Sequence, residues 1–352
     1  MKEKSLKAIS WQVPEETYRE DPSLSYSTLA TFERSGFNGL STLFDRKETA
    51  SLTFGSAVDA IITGGQQEFD AKFMIADFPP LSEKAVKITK DLFRDHGIAY
   101  TDFDSIPDEV VLSKIEEYEY WNNCKAETKL KKLKDENAAS YYELLQLASD
   151  KTPINSETYA NVLATVAALK ESPATAEYFA ADNPFDDSIE HLYQLKFKAT
   201  LDGIDYRCMS DLLIVDYANK KIIPVDLKTS SHTEWDFAKS FVQWNYQIQA
   251  RLYWRIIRDN LDRDSYFKDF TLDDYRFIVA NKETLTPLVW KFTETTTVGD
   301  IVIPTIQGDR IILRDPQFIG EELSKYLKDT PKVPNGIVVE GDNDIIEWIR
   351  KS

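Results

Sequence analysis

Residues 209–231 read MSDLLIVDYANKKIIPVDLKTSS, and this stretch decides the fold because two apolar runs flank a polar turn. Such runs bounded by turn residues are typical of β-strands, so the stretch predicts a hairpin centred on the Ala218–Asn219 bond. Asp211 and Asp226 are equidistant from that centre and therefore oppose each other, with Cβ atoms about 4.5 to 5.5 Å apart. Lys228, two residues after Asp226, projects from the same face of the sheet.

The sequence around the hairpin predicts an α/β core. Residues 189–199 alternate, with Ile189, His191, Tyr193, Leu195, Phe197 and Ala199 on one face, and the turn Asp202-Gly203 joins them to the next strand. A long helix is expected from Trp235 to Arg258, because apolar residues recur there at helical spacing. The predicted strands are 189–199, Ile204–Met209, Asp211–Val215, Ile222–Thr229, 274–280 and 287–293. Together these elements predict an antiparallel meander within a mixed sheet flanked by helices.

The rest of the chain is predicted to be mainly helical before the sheet and irregular after it. Helices are expected at 23–36 and 50–64. A helical pattern covers 82–181 and includes a helix at 155–169 and another that begins at Ser172-Pro173. Two later helices are expected at Pro316–Leu327 and Asp344–Lys351. We expect one elaborated domain over 1–352. Its predicted parts are a helical part at 23–185, the catalytic sheet at 186–295 and an extension at 296–352.

The composition excludes several classes of protein. With 42% hydrophobic and 29% charged residues, the chain is expected to be globular, and no stretch resembles a signal peptide or a membrane span, which predicts a cytoplasmic protein. Two cysteines and three scattered histidines exclude a four-cysteine metal cluster and make zinc chemistry improbable. The net charge of -17 disfavours binding to DNA, but basic residues outnumber acidic ones between Lys220 and Arg258.

Two carboxylates and a lysine on one sheet face suit phosphodiester hydrolysis. Magnesium prefers oxygen ligands, and Asp211, Asp226, the main-chain carbonyl of Leu227 and phosphate oxygens would form such a set. Lys228 could orient the attacking water or stabilise developing charge. The alternative is an ordinary ion pair on an exposed hairpin. The apolar residues between Ile222 and Leu227 favour a buried strand, which rarely carries charges without a function.

The chain resembles the RecB- and RecE-type nucleases of the PD-(D/E)XK superfamily. The resemblance rests on SDLLIVD, PVDLKTS and YQIQARLY, and covers about residues 23–295, with LSYSTLATF and FGSAVDAII similar to the family's opening helices. It implies a restriction-endonuclease-like core with a large helical N-terminal part. In the family a Gln-x-x-x-Tyr pair follows the catalytic lysine, and here Gln249 and Tyr253 match it, one turn apart on one helix face.

Further site residues follow from the resemblance. Asp59 stands where relatives carry a histidine ligand, and a carboxylate there suits magnesium, although a plain helix acid is the alternative. Glu190 or Gln194 matches an upstream acidic position, and Glu190 is the chemically capable one. Thr229 and Ser230 could bind a phosphate, although hydroxyls at strand ends are common.

The resemblance implies a magnesium-dependent exodeoxyribonuclease, with manganese able to substitute, that acts on duplex DNA ends in recombination or repair. It further implies a homo-oligomeric ring, a single-strand annealing protein as partner, and a bacterial or phage-infected cell. An endonuclease on the same core and a catalytically inactive DNA-binding or assembly protein remain alternatives.

Overall fold

The structure is a computed structural model, and it describes residues 3–44, 49–233, 236–305, 308–329, 332–333 and 336–337. Its α-helices are α1 (Glu15–Glu20), α2 (Tyr26–Ser35), α3 (Ala50–Lys72), α4 (Glu83–His96), α5 (Asp108–Glu117), α6 (Ala126–Asp135), α7 (Ala138–Ala148), α8 (Ser156–Glu171), α9 (Phe237–Gln243), α10 (Tyr246–Asp262) and α11 (Pro316–Asp329). Its strands are β1 (Phe73–Ile75), β2 (Thr152–Ile154), β3 (Ile189–Leu201), β4 (Ile204–Asp216), β5 (Lys221–Ser230), β6 (Thr271–Leu272), β7 (Tyr275–Asn281), β8 (Pro287–Phe292), β9 (Ile301–Pro304), β10 (Arg310–Leu313), β11 (Lys332–Val333) and β12 (Gly336–Ile337). Short 3-10 helices are Leu6–Ile9, Gly36–Thr42, Phe103–Ser105, Ala176–Phe179 and Phe267–Asp269.

The chain forms two compact units. The first comprises Met1–Lys47 together with Ala168–Ser352, and the second comprises Glu48–Ala167. These bounds differ from the predicted division at residues 185 and 186, and the expectation of one elaborated domain stays an expectation. The predicted helix Asp344–Lys351 lies outside the described residues.

One mixed sheet forms the centre of the first unit. Its strand order is β3-β4-β5-β7-β8, with β6 also paired to β5. The strands β3, β4 and β5 form the predicted antiparallel meander, whereas β7 runs parallel to β5. A parallel neighbour requires a long crossover connection, and α9 and α10 provide it. The prediction of a mixed sheet flanked by helices is therefore confirmed.

The register of the β4–β5 hairpin agrees with the predicted turn centre. Leu212 pairs with Val225, and Asp216 pairs with Lys221 at the turn. The two predicted strands Ile204–Met209 and Asp211–Val215 are one continuous strand, β4. No turn former separates them, and Ser210 between them is buried and pairs with Leu195.

Strand β3 is irregular at Gln194, whose φ of 54° is in the left-handed region. The register pairs Tyr193 with Leu212 and Leu195 with Ser210, so Gln194 lies across from Asp211. The burial of the predicted apolar face changes at Gln194. Beyond Gln194 the apolar residues are buried, whereas Ile189 at the other end is exposed.

Helix α10 packs against the sheet and carries part of the buried stripe that the sequence predicts, but Trp244, which the same spacing predicts to be buried, is 43% exposed in the break before α10. Ile248, Leu252 and Ile256 join a core cluster with residues of β3, β4 and β7. The predicted long helix is interrupted, however, and α9 ends before α10 begins. Asn245 between them has a φ of 55°, a left-handed conformation that ends a helix and that Asn adopts more readily than most residues. The predicted helix start, Trp235, lies outside the described residues.

A buried ion network attaches the segment after β8 to α10. The guanidinium groups of Arg251 and Arg255 each lie 2.7 Å from the carboxylate of Asp315, and Arg251 and Asp315 are almost fully buried. Arg251 also donates to the main-chain oxygen of Thr297 at 2.9 Å. This network holds the base of the β9–β10 hairpin next to the start of α11. Helix α11 itself confirms the predicted helix Pro316–Leu327.

The second unit is mainly helical, as predicted for this part of the chain. Helices α4 to α7 enclose a core that includes Ile88, Ile115 and Tyr142, and β1 pairs with β2 in parallel. Helix α3 extends beyond its predicted end, although Gly65 kinks it with a φ of 64°. Asn155 caps α8 by accepting from the Thr158 amide at 2.7 Å, as predicted.

Two further predictions can be compared with the structure. The helix expected from Ser172-Pro173 does not form as an α-helix. The segment contains only the short 3-10 helix Ala176–Phe179, a type of helix that rarely extends beyond one turn. Among the described residues, no helix combines the length and the apolar character needed to cross a bilayer.

Candidate active site

Asp211 and Asp226 lie on neighbouring strands where the β4–β5 hairpin opens. The register that pairs Leu212 with Val225 makes Asp211 and Asp226 the next opposed pair. The Leu227 amide donates to Oδ2 of Asp211 at 2.9 Å. This hydrogen bond fixes the Asp211 side chain against the main chain of β5, next to Asp226.

Asp226 is a buried carboxylate with two polar side chains beside it. It is 1% exposed, and Oδ1 accepts a hydrogen bond from Nε2 of Gln249. The other oxygen, Oδ2, lies 2.6 Å from Nζ of Lys228. This short contact with the ammonium compensates the charge on Oδ2. Burying a carboxylate is costly without such partners.

Lys228 connects the acidic residues to α10. Its ammonium donates to Oε1 of Gln249 at 3.0 Å and lies 4.8 Å from the ring centroid of Tyr246. Burial disfavours the charged ammonium, but the charges of Asp226 and then Asp211 outweigh it, so the pKa of Lys228 is raised. Lys228 is therefore a cation at neutral pH. Its side chain is 19% exposed, against 2% for Asp226, so it is the more accessible of the two.

Gln249 and Tyr253 occupy different environments although one helix turn separates them. The amide of Gln249 touches both Asp226 and Lys228. Tyr253 is buried in the core, with its ring centroid 6.3 Å from that of Tyr275. Burial is the main reason that the pKa of Tyr253 is raised well above its ordinary value, and the charges of Asp226 and Asp211 add to the effect. Tyr253 is thus a core residue within electrostatic range of the carboxylates, whereas Gln249 contacts Asp226 directly.

The donor set fits a magnesium ion. Within the described parts of the chain no group of three or more His, Cys, Asp and Glu side chains could hold a metal, so Asp211 and Asp226 would act as a carboxylate pair. Magnesium is commonly held by one or two carboxylates together with waters and substrate phosphates. The Leu227 carbonyl shares the strand edge of its amide, which faces Asp211, and Oδ2 of Asp226 contacts Lys228, with which an ion would share it. These oxygens are of the kind that magnesium prefers.

Glu190 lies apart from this cluster. It pairs with Val215 in the β3–β4 register, four residues from Gln194 opposite Asp211, which corresponds to about 13 Å along a strand. Its carboxylate accepts hydrogen bonds from Ser5 at 3.0 Å and from the Tyr217 hydroxyl. The structure therefore gives Glu190 a partner set of its own and does not bring it to Asp226.

The remaining predicted residues have three different placements. Thr229 and Ser230 continue β5 beyond Lys228 and are half-buried, and the Ser230 hydroxyl accepts from the His232 amide at 3.0 Å. Gln194 lies across from Asp211. Asp59 is a half-buried residue of α3 in the second unit. Its assignment as a metal ligand stays a prediction.

Two aromatic residues near Lys228 were missed from the sequence. Tyr246 precedes Gln249 by three positions on α10, and that spacing places both on one helix face, which is a signal that could have been used. The charge of Lys228 also acts on Tyr26 of α2, whose pKa is raised chiefly by burial. No local pattern connects Tyr26 with a strand about 200 residues later.

Comparisons with known proteins give little independent information. No family model matches the chain, and no curated protein matches it significantly. A crystal structure of a protein from Eubacterium rectale, provisionally named an exonuclease, is similar over 90% of this chain and 85% of its own, with 13% identity and a TM-score of 0.39. A similarity at this level does not establish a common fold, so the proposals below rest on the geometry of this chain.

Proposed function

We propose that the chain is a metal-dependent deoxyribonuclease of the PD-(D/E)XK type that hydrolyses phosphodiester bonds. The observation that carries the proposal is the cluster in which Asp226, Lys228 and Gln249 contact one another while Asp211 occupies the opposed position on β4. A solvated ion pair on an exposed hairpin is disfavoured, because Asp226 is almost fully buried.

Each residue of the cluster would have a distinct task. Asp211, Asp226 and the Leu227 carbonyl would hold Mg²⁺, with Mn²⁺ as a substitute. The bound ion would supply charge for the phosphoryl oxygen and lower the pKa of water. Lys228 is a fixed cation that would stabilise negative charge on the phosphate or orient water. Gln249 would hold Lys228 and Asp226 in register, and Thr229 and Ser230 would contribute hydroxyls to a neighbouring phosphate.

We further propose that the chain acts on DNA ends in recombination or repair. This more specific proposal rests on the resemblance to RecB- and RecE-type nucleases. A ring of identical subunits, a single-strand annealing partner and a phage or bacterial setting rest on it as well. The charge of -17 requires that DNA approach through a locally basic region. Arg34, which is exposed on α2 in the same unit as Lys228, would contribute positive charge to that region.

The proposal is tested by incubating the purified chain with linear, nicked and closed circular duplex DNA, in magnesium and in EDTA. We expect linear DNA to be degraded in magnesium and to survive in EDTA, while closed circles persist. Cutting of closed circles would indicate an endonuclease on the same core. Survival of every substrate in magnesium and in manganese would contradict the proposal and favour a DNA-binding protein.

A further inference from the structure

Trp244 is a large aromatic residue that the fold leaves 43% exposed, two residues before Tyr246, whose ring lies next to Lys228. It occupies the connection between α9 and α10, directly before the left-handed Asn245. Burying an indole is strongly favourable, and Trp is enriched at binding interfaces.

The main chain at Trp244 is fixed although the ring is exposed. Its carbonyl accepts a hydrogen bond from the Tyr26 hydroxyl at 2.7 Å and from Nη1 of Arg34 at 3.3 Å. Its amide donates to the Ser240 carbonyl at 2.9 Å. Three hydrogen bonds therefore hold the residue that presents the indole, which reduces the entropy lost when a ligand stacks on it.

Arg34 adds a positive charge to the same surface. Its guanidinium carbon lies 5.3 Å from the ring centroid of Trp244, and the side chain is exposed on α2. A guanidinium group stacks on aromatic rings and on bases, and also pairs with phosphates. Trp244 and Arg34 thus combine a flat apolar surface with a cation, which is the chemistry that recognises a nucleotide.

The position of this pair relative to Lys228 follows from Tyr246. The ring of Tyr246 lies 4.8 Å from the Lys228 ammonium, and Trp244 is two residues earlier in the chain. Two residues span at most about 7 Å. The main chain of Trp244 therefore lies near the residue that would contact the scissile phosphate, and Tyr26, whose hydroxyl bonds the Trp244 carbonyl, is also within electrostatic range of Lys228.

We propose that Trp244 and Arg34 form a subsite that stacks on an unpaired base of the DNA strand adjacent to the bond that is cut. The proposal rests on the proposed nuclease function and deepens it. An internal base of a duplex is stacked on both faces, so the proposed ligand is an unpaired base and not an internal base pair.

The test measures the affinity of the full chain for a fluorescein-labelled oligothymidylate of about 12 nucleotides by anisotropy. The chain carries Lys228→Ala so that the strand survives in magnesium. Trp244→Phe keeps a stacking face, whereas Trp244→Leu keeps apolar bulk without one. We expect Trp244→Leu to weaken binding about 10-fold and Trp244→Phe by less than about 3-fold. Arg34→Gln should also weaken binding by several-fold.

Two comparisons separate stacking from a merely structural contribution. An abasic strand of equal length keeps the phosphates but has no bases, so Trp244→Leu should leave its affinity unchanged. Phe318→Leu changes an aromatic residue that is 45% exposed on α11, and it should leave both affinities unchanged. Equal weakening of the thymidylate and the abasic strand by Trp244→Leu, or weakening of neither, would overturn the inference.

The outcomes are distinct from failure of the proposed function. If Lys228→Ala still degrades linear DNA in magnesium, the nuclease assignment fails whatever Trp244 does. A second outcome is that Lys228→Ala stops degradation while the protein that also carries Trp244→Leu binds thymidylate as tightly as the protein that keeps Trp244. In that case the nuclease assignment stands and the stacking subsite fails. Circular dichroism of each variant checks that the fold is kept, and Arg34→Gln provides a second variant if Trp244→Leu does not fold.

Discussion

Gln249 donates a hydrogen bond from its side-chain nitrogen to the buried carboxylate of Asp226. The oxygen of the same amide accepts from Lys228 at 3.0 Å. One neutral side chain on α10 therefore fixes both members of an ion pair on β5. Because an amide carries a donor and an acceptor at a fixed separation, no apolar residue can replace it at this position.

Replacing Gln249 with Leu should impair activity more than stability. Oδ1 of Asp226 would lose its donor, and an unsatisfied buried polar group costs about 1 to 3 kcal/mol of unfolding free energy. Loss of a side chain that orients site residues typically lowers activity about 10- to 100-fold. Degradation of linear DNA and urea unfolding measure the two effects.

Gln247→Leu is the matched control on the same helix. Gln247 is also buried, and away from Asp226 it donates to the Arg314 carbonyl at 3.1 Å and accepts from Arg251 at 3.2 Å. Its loss should lower stability by a similar amount and leave the rate of DNA degradation nearly unchanged. Equal rates for the two variants would show that Gln249 does not organise the site.

Asp315→Asn should destabilise the first unit strongly. Asn cannot neutralise Arg251 and Arg255, and breaking a buried ion network typically costs about 3 to 5 kcal/mol. Urea unfolding at pH 7 measures this loss. Glu15→Gln, which removes an exposed pair with Arg19, should cost less than about 1 kcal/mol. Similar small losses for both variants would refute a stabilising role of the buried network.

The effect of Asp315→Asn should also depend on pH. Burial alone would raise the pKa of Asp315, but hydrogen bonds from Arg255 and the Gln317 amide, with the charges of both arginines, lower it below its ordinary value. A carboxylate whose folded pKa is lowered stabilises the fold above the unfolded pKa of about 3.9 and loses that contribution as the pH falls further. The stability difference between the two proteins should therefore be full at pH 7 and shrink below about pH 4. A difference that stays constant or grows towards acid would contradict this assignment.

Asp59→Asn tests whether Asp59 is a metal ligand, an assignment that rests only on the resemblance. If Asp59 binds the ion, half-maximal DNA degradation should require about tenfold more magnesium, because Asn is neutral and a weaker ligand. Asp70→Asn changes an exposed acid of the same helix and should leave the magnesium titration unchanged. Identical titrations for both variants would remove Asp59 from the site.

Much of the sheet could be predicted because its signals are local. The turn at Asp202-Gly203 and the symmetric spacing of Asp211 and Asp226 about one turn determine a register, and a register fixes which residues oppose each other. The i and i+2 relation of Asp226 and Lys228 then predicts a shared face. Helical spacing likewise placed Gln249 on α10, although its contact with both residues could not be read from the sequence.

The rest depended on contacts between distant segments. The break before α10 arises from a single left-handed residue, Asn245, within an otherwise helical pattern, and propensity alone does not reveal it. The partners of Glu190, Ser5 and Tyr217, come from separate parts of the chain. Arg251 and Arg255 belong to the run between Lys220 and Arg258 in which basic residues outnumber acidic ones, yet they form a buried network with Asp315, about 60 residues later.

The most direct test of the central claim is the rate at which the full chain and its Lys228→Ala variant degrade linear duplex DNA in magnesium. Removing the Lys228 ammonium takes away the cation next to Asp226, and we expect the rate to fall at least about 100-fold. Circular dichroism should show an unchanged fold. Undiminished degradation by a folded Lys228→Ala protein would contradict the assignment of this cluster as the active site.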